Sequence, residues 1–207
     1  MKYNYSIYNA DDFEKLSRIN FKESNITDLY IELMNDITFM KEFTPINLEG
    51  VSVIFNGNKH SLNNINIYNL KDEKEVNDYT GMFTKADNLH IYNLNVDKSY
   101  IYGGQISGTI VGKVEDTFRV ENCNFERLNV NCEALCGGLA GVANYTYVSD
   151  TYVESKVYGT DVVGGLVGMA KRYVEYDSCN DSYILGVGKC LDEKVGYTDR
   201  KMIKELK

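Results

Sequence analysis

Apolar positions along the chain follow two rhythms. Near the start, Phe13, Leu16 and Ile19 recur at helical spacing and share one face. Asn9 is placed to cap that helix, and Asp11 and Asp12 sit in its first turn, where the helix dipole favours acids. From Asp28 onward the rhythm shortens to period two. Asp28–Leu33 and Ile37-Thr38-Phe39 read as short strands, and Gly50–Phe55 alternates cleanly before an Asn56-Gly57-Asn58 turn. Leu62, Ile65, Ile67 and Leu70 continue the pattern, and the charged stretch between Lys71 and Asp78 predicts an exposed loop.

A longer period then takes over. Gly137-Gly138-Leu139-Ala140-Gly141 recurs as Gly164-Gly165-Leu166-Val167-Gly168, 27 residues later. Gly108-Thr109-Ile110-Val111-Gly112 lies 29 residues before the first of these, and Thr80-Gly81-Met82-Phe83 lies 28 before that. Each cluster follows a short apolar strand flanked by Asn, Asp or Ser. Within those strands Leu94, Cys123, Tyr152 and Cys179 are spaced by 29, 29 and 27 residues. A repeat of this length, built of short strands and turns without a helix, predicts one coil of a parallel β-helix.

The predicted fold is therefore all-β, a single solenoid domain over residues 1–207. Residues 1–79 would form an N-terminal cap and first strands, 80–190 the glycine-marked coils and 191–207 a C-terminal cap. Thr198–Leu206 is expected to be a short helix covering the last coil, because open sheet ends need cover. The glycines are expected to hold positive φ at coil corners or to let one backbone pack closely on the next. Small cysteines suit an inner ladder, so Cys123 and Cys179 are predicted to be buried.

Composition narrows the functional classes. The formal charge of −8 argues against direct nucleic-acid binding, which needs clustered Lys and Arg. No apolar window is long enough to span a membrane, and Met1–Ser6 lacks the apolar core of a secretory signal. The odd count of five cysteines predicts free thiols and a cytoplasmic protein; a surface or secreted location is the alternative for a chain shorn of its signal. Cys132 and Cys136 have no further Cys or His nearby to complete a zinc site, so neither metal nor cofactor is expected.

The glycine clusters carry a resemblance. Gly137–Gly141 and Gly164–Gly168 resemble the GLUG-motif repeats found mostly in bacterial surface and secreted proteins. The likeness runs from about Asn9 to Cys190 and takes in the Asp11–Leu16 helix, Phe43-Thr44-Pro45-Ile46 and Phe55–Leu62. It implies a right-handed parallel β-helix used as a structural or adhesive scaffold.

Catalytic chemistry is thinly signalled. Asp150 with Glu154, Asp161 with Glu175, and Asp177 with Asp181 are carboxylate pairs of the kind glycoside-cleaving β-helices use; turn and solvent roles suit them better. His60 reads as a turn residue and His90 as an outward strand residue, neither with a nucleophile at a telling spacing. A protein-binding role remains. Glu121, Glu126, Glu154 and Asp161 flank the apolar strands and are expected to point outward, where they could meet a basic or nucleic-acid-binding protein. Tyr145, Tyr147, Tyr173 and Tyr176 are the aromatic candidates, since tyrosine supplies contact area at small entropic cost.

The expected function is a non-enzymatic protein-binding module. An intracellular inhibitor, phage-borne and of the anti-CRISPR kind, leads; a bacterial surface adhesin and a carbohydrate-active enzyme are the alternatives.

Overall fold

The computed structural model describes residues 2–69, 79–186 and 190–204, and the predicted 71–78 loop lies outside them. Among the described residues the chain winds as a parallel β-solenoid with three walls. The first wall is an eight-stranded sheet, the second has seven strands and the third five. All the strand pairs are parallel, coil on coil. A representative coil runs from Val111–Glu121 in the first sheet, through Asn124–Asn131 in the second, to Leu135–Gly137 in the third.

Period-two alternation fills the interior with ladders. In the first sheet Leu29, Val53, Leu89 and Phe118 stack in one inward column, and Ile31, Phe55, Ile91, Val120 and Val148 in the next. In the second, Ile67, Ile101, Val130 and Val157 do the same. Full burial of each such side chain stabilises by about 1.5–3 kcal/mol. The single short helix, Ala10–Ser17, begins with a capping box between Asn9 and Asp12. It turns Phe13 into an edge-to-face cluster with Phe39 and Phe43, which closes the N-terminal end of the core. Lys2–Ile7, ahead of that helix, is itself a strand paired with Asp28–Leu33, an element the sequence pattern did not announce.

Four expectations are corrected. The C-terminal segment is a strand, Val195–Lys204, laid in register on Val167–Tyr176. The pairing gives its backbone a ladder along one side and continues the column of the preceding coil, whereas a short terminal helix would be marginal. Lys194-Val195-Gly196 repeats Leu166-Val167-Gly168 one coil on, so the period runs past the point where it was expected to stop.

The motif glycines do not take the left-handed region. That role falls to Asn93, Asn122, Asp150 and Asp177, with φ between 42° and 54°, at the corner joining the first and second sheets. The other expectation for the glycines, close approach of one backbone to the next, is the one that holds: a Cβ on Gly165 would sit 1.8 Å from the Glu193 carbonyl oxygen.

The inner ladder is also shifted by one residue from the expected one. Leu94 is followed by Cys123, then Thr151 and Ser178, each backbone N–H donating to the next side chain (Leu94 to Cys123 Sγ 3.5 Å, Cys123 to Thr151 Oγ1 3.4 Å, Thr151 to Ser178 Oγ 3.3 Å). The coils shorten because bulges are lost. A register shift lies between Phe125 and Leu128, beside left-handed Arg127, and another between Val114 and Thr117. Cys179 therefore falls in an outer column and is exposed, while Cys123 is buried.

Finally, Cys132 and Cys136 form a disulfide across the corner leading into the third sheet, with Cα atoms 5.9 Å apart. The free-thiol expectation fails for this pair because the tight turn before Leu135–Gly137 brings the two together at a normal bridging distance. Cys190 lies among residues whose side chains are not described.

Candidate functional site

Two outer faces carry the side chains that could meet a partner. The first is on the second sheet. Stacking in register sets Asp97 beside Glu126, and Glu154 beside Asp181, two carboxylate pairs that follow one another across the register shift between Phe125 and Leu128. Next to them stands a column of Tyr100, Asn129, Lys156 and Tyr183, and beyond that Tyr68, Tyr102, Asn131, Tyr158 and Leu185. Tyr100 and Tyr102 stack with ring centroids 6.4 Å apart, and Tyr68 lies 5.7 Å from Tyr100. Six of the eleven exposed large hydrophobic side chains among the described residues belong to this one face: Tyr68, Tyr100, Tyr102, Tyr158, Tyr183 and Leu185.

The electrostatics of this face are milder than its carboxylates suggest. Arg127 clamps Asp97 through two guanidinium nitrogens, and Glu126 accepts a hydrogen bond from Asn124 Nδ2 at 2.7 Å. Lys98, Arg127 and Lys156 are exposed on the same strands, three cations against four carboxylates. The carboxylates thus supply local polarity, and the tyrosines supply the area.

The second face is a trough of about 660 Å³ on the outside of the first sheet. It crosses the strands Asp28–Leu33, Ile46–Asn56, Phe83–Tyr92 and Val111–Glu121, which is about 14 Å at the usual strand spacing. Register shifts at Leu48/Ser52 and Val114/Thr117 lie at its margin, beside Ser52 and Thr117. Tyr30, Ile54, His90 and Arg119 form its middle column, with Ser52, Asn88 and Thr117 alongside. At its edge Glu121 accepts from Arg119 at 2.5 Å and meets His90 Nε2 at 2.7 Å. The Arg119 hydrogen bond holds the Glu121 carboxyl below its usual range, against the opposing effect of partial burial. Tyr30 and Tyr92 share a hydroxyl contact of 3.3 Å, which with burial pushes the Tyr92 phenol up to about 12.

The sequence candidates separate accordingly. Glu126 and Glu154 stand in the carboxylate pairs of the second sheet. Glu121 edges the trough, and Tyr145, Tyr147 and Tyr176 continue the same outer face toward the C-terminal coils. Asp161 is exposed at a turn before Val162–Gly164. Tyr173 is fully buried and leaves the list of surface residues. Its hydroxyl donates to Glu175 at 3.0 Å, and Lys194 reaches the other oxygen of the same buried carboxylate at 2.8 Å. Burial, reinforced by Glu175, raises the Tyr173 phenol well above its ordinary value.

Of the carboxylate pairs, Asp161 and Glu175 are parted by the coil wall, one exposed and one inside. Asp150 and Asp177 are corner residues in the left-handed region. His60 bonds Asp36 at 3.1 Å on the surface. The described residues contain no cluster of His, Cys, Asp and Glu fit for a metal ion, and no helix long and apolar enough to cross a membrane.

The trough and the tyrosine columns were missed in the sequence because their members lie one coil apart in the chain. The signal that could have revealed them is the outward position one residue either side of each buried ladder residue, as Tyr100 and Tyr102 flank Ile101, read at the corrected register.

Fold and faces together define the chain as a parallel β-solenoid with two structured outer surfaces. No family model matches it, and no curated protein sequence does. Among solved structures it is similar to a crystal structure described as a "putative immunoglobulin A1 protease" from Bacteroides ovatus. The two superpose with a TM-score of 0.62 at 16% identity, over 98% of this chain and 77% of that one. Identity that low shows a shared fold.

Proposed function

We propose that this chain is a non-enzymatic protein-binding module of a bacterial surface, related to the GLUG-repeat proteins, and that it meets its partner through the tyrosine face of the second sheet. The observation that carries this is the gathering of Tyr68, Tyr100, Tyr102, Tyr158, Tyr183 and Leu185 on one rigid wall. Isolated exposed apolar residues need no explanation, but two clusters on one wall, Tyr68 with Tyr100 and Tyr102 and Tyr158 with Tyr183 and Leu185, interleaved with Asn129, Asn131 and Lys156, have the mixed aromatic and polar make-up of an interaction surface. Tyr100, Tyr102 and Tyr158 are held by strands paired on both sides, so little ordering entropy opposes contact there.

Two further points support the surface setting. A disulfide such as Cys132–Cys136 persists where the medium is oxidising, which favours a surface module over the intracellular inhibitor. The glycine repeats that resemble the GLUG motif make the close inter-coil contacts a scaffold requires. The acidic-face mechanism is the weaker partner to the tyrosines, because Lys98, Arg127 and Lys156 offset most of the carboxylate charge.

The test is photo-crosslinking in the native host, with a photoreactive phenylalanine analogue at position 102 and, as a control away from this face, at position 8. Position 102 should yield one discrete protein adduct, lost on Tyr100→Ala/Tyr158→Ala, and position 8 none. Equal adduct patterns from both positions would end the proposal. Raising salt from low to moderate strength should reduce the adduct only slightly, since the face is nearly neutral.

A further inference from the structure

The trough on the first sheet goes beyond this reading, and its chemistry specifies a ligand class. Its floor is sheet whose backbone groups are engaged by neighbouring coils on both sides. A peptide strand therefore finds no free N–H or C=O ladder to join, and recognition has to come from side chains. Those side chains are uncharged or already neutralised. Arg119 is held by Glu121, which also meets His90, while Lys2 and Asp28 line the opposite end with opposite sign to each other. Such a site has no net field to favour an anion or a cation.

What remains is a set of short polar groups around an apolar strip. Asn88 Nδ2 donates to Ser52 Oγ at 3.1 Å and Asn88 Oδ1 accepts from the Thr117 N–H at 3.2 Å. These bonds fix the amide and leave its second N–H, with the Ser52 hydroxyl, facing the trough. Ile54, 42% exposed, lies in the same column between Tyr30 and His90. Closely spaced amide and hydroxyl groups match vicinal hydroxyls, and an apolar and aromatic strip matches the C–H face of a pyranose ring. The column repeats at the coil spacing of about 4.8 Å, close to the repeat of a sugar ring in an extended chain.

We infer that the trough is a binding site for an uncharged oligosaccharide, lying along the solenoid axis over about three coils with its rings against Tyr30, Ile54 and His90. Arg119 and Asn88 donate to ring hydroxyls, and Ser52 both donates and accepts.

The experiment titrates the protein with cellohexaose, xylohexaose, mannohexaose and chitohexaose by calorimetry, beside the acidic hexamer of galacturonic acid and a polar extended decapeptide. At least one neutral hexasaccharide should saturate, with the amides of Ser52, Asn88 and Thr117 moving in the NMR spectrum. Ile54→Glu, which adds a charge on the outer face without touching the core, should weaken it by about tenfold or more at unchanged melting temperature. Asn88→Ala should also weaken it, and Tyr102→Ala, on the tyrosine face, should leave it unaltered. Failure of all four neutral sugars to saturate would overturn the inference. So would binding that survives Ile54→Glu, or preference for the acidic sugar or the peptide. None of these outcomes bears on the crosslinking at position 102, so the two proposals stand or fall separately.

Discussion

Gly165→Ala is the sharpest probe of how the coils are held together. Gly165 is the second glycine of the second clear repeat, and its backbone lies against the next coil. A Cβ there would meet the Glu193 carbonyl oxygen at 1.8 Å and Ser182 Cβ at 2.7 Å. Ordinary contact begins at 3.4 Å, so the coils would have to part locally by about 1.6 Å (3.4 − 1.8). The Gly165 N–H to Asp192 carbonyl bond of 3.1 Å and the Leu166 to Lys194 bond of 2.8 Å cross that seam. Losing two such bonds costs about 1 kcal/mol each, and overpacking adds about 1–3 kcal/mol, for a total of about 3–5 kcal/mol.

Gly50 supplies the contrast. Its φ is +84°, and a Cβ on it would meet nothing within 4 Å. Gly50→Ala therefore isolates left-handed backbone strain, worth about 1–2 kcal/mol. Urea unfolding of both variants, read as midpoint shifts at unchanged slope, measures the difference. Gly165→Ala should be the more destabilised by roughly 2 kcal/mol. A Gly165→Ala protein within about 1 kcal/mol of the parent, or a Gly50→Ala protein that loses more, would refute close approach as the reason for the motif glycines.

Three other outcomes follow from the interior. Thiol titration of the denatured chain without reductant should find two fewer reactive thiols than the five cysteines, because of Cys132–Cys136, and five would refute the bridge; Cys132→Ser/Cys136→Ser should cost about 2 kcal/mol. Burial pushes the Cys123 thiol from its usual 9.0 up to about 12 and raises Tyr173 as well, so both favour the folded state as neutral groups. That stability is complete below pH 9.0 and is lost as pH rises toward about 12; Cys123→Ala should flatten the alkaline fall measured by urea unfolding, and an unchanged slope would count against the assignment. Lys194→Met should cost about 3–5 kcal/mol by stranding the buried Glu175 carboxylate, whereas Glu175→Val, which copies Val148 one coil earlier, should cost less, about 1–3 kcal/mol for the buried Tyr173 hydroxyl left without its acceptor; the reverse order in thermal unfolding would refute the pairing.

The solenoid itself was legible because its signal is redundant. Two sets of landmarks, the glycine clusters and the apolar strands, shared one period, and each coil must bury the same columns as its neighbours. The helix at Ala10–Ser17 was legible from a local device, the Asn9–Asp12 capping box followed by Phe13 and Leu16. What failed was counting. A period of 27–29 residues tolerates a bulge without losing its pattern, but one extra residue sends every later side chain to the opposite side of the wall. Arg127 is such a residue in Asn124–Asn131, and the next coil has no counterpart in register. Cys179 was therefore placed inside when Ser178 holds that position, and Tyr173 outside when it stacks on inward Thr146.

The same arithmetic explains why the outer faces proposed to bind were harder to see than the fold. A solenoid assembles a site across its coils, so the members of a column are neighbours in space and a full turn apart in sequence. Tyr30, Ile54, His90 and Arg119 are separated by 24, 36 and 29 residues and share no local motif. Their alignment depends on the bulges at Leu48/Ser52 and Val114/Thr117, the features an averaged period erases. The tyrosine columns depend on Lys98 and Arg127 in the same way. Bulges that blur the sequence repeat thus also bend the strands locally, and a bent outer wall offers a concavity where a regular one would be flat. In this protein the residues that break the repeat lie beside the surfaces proposed to bind.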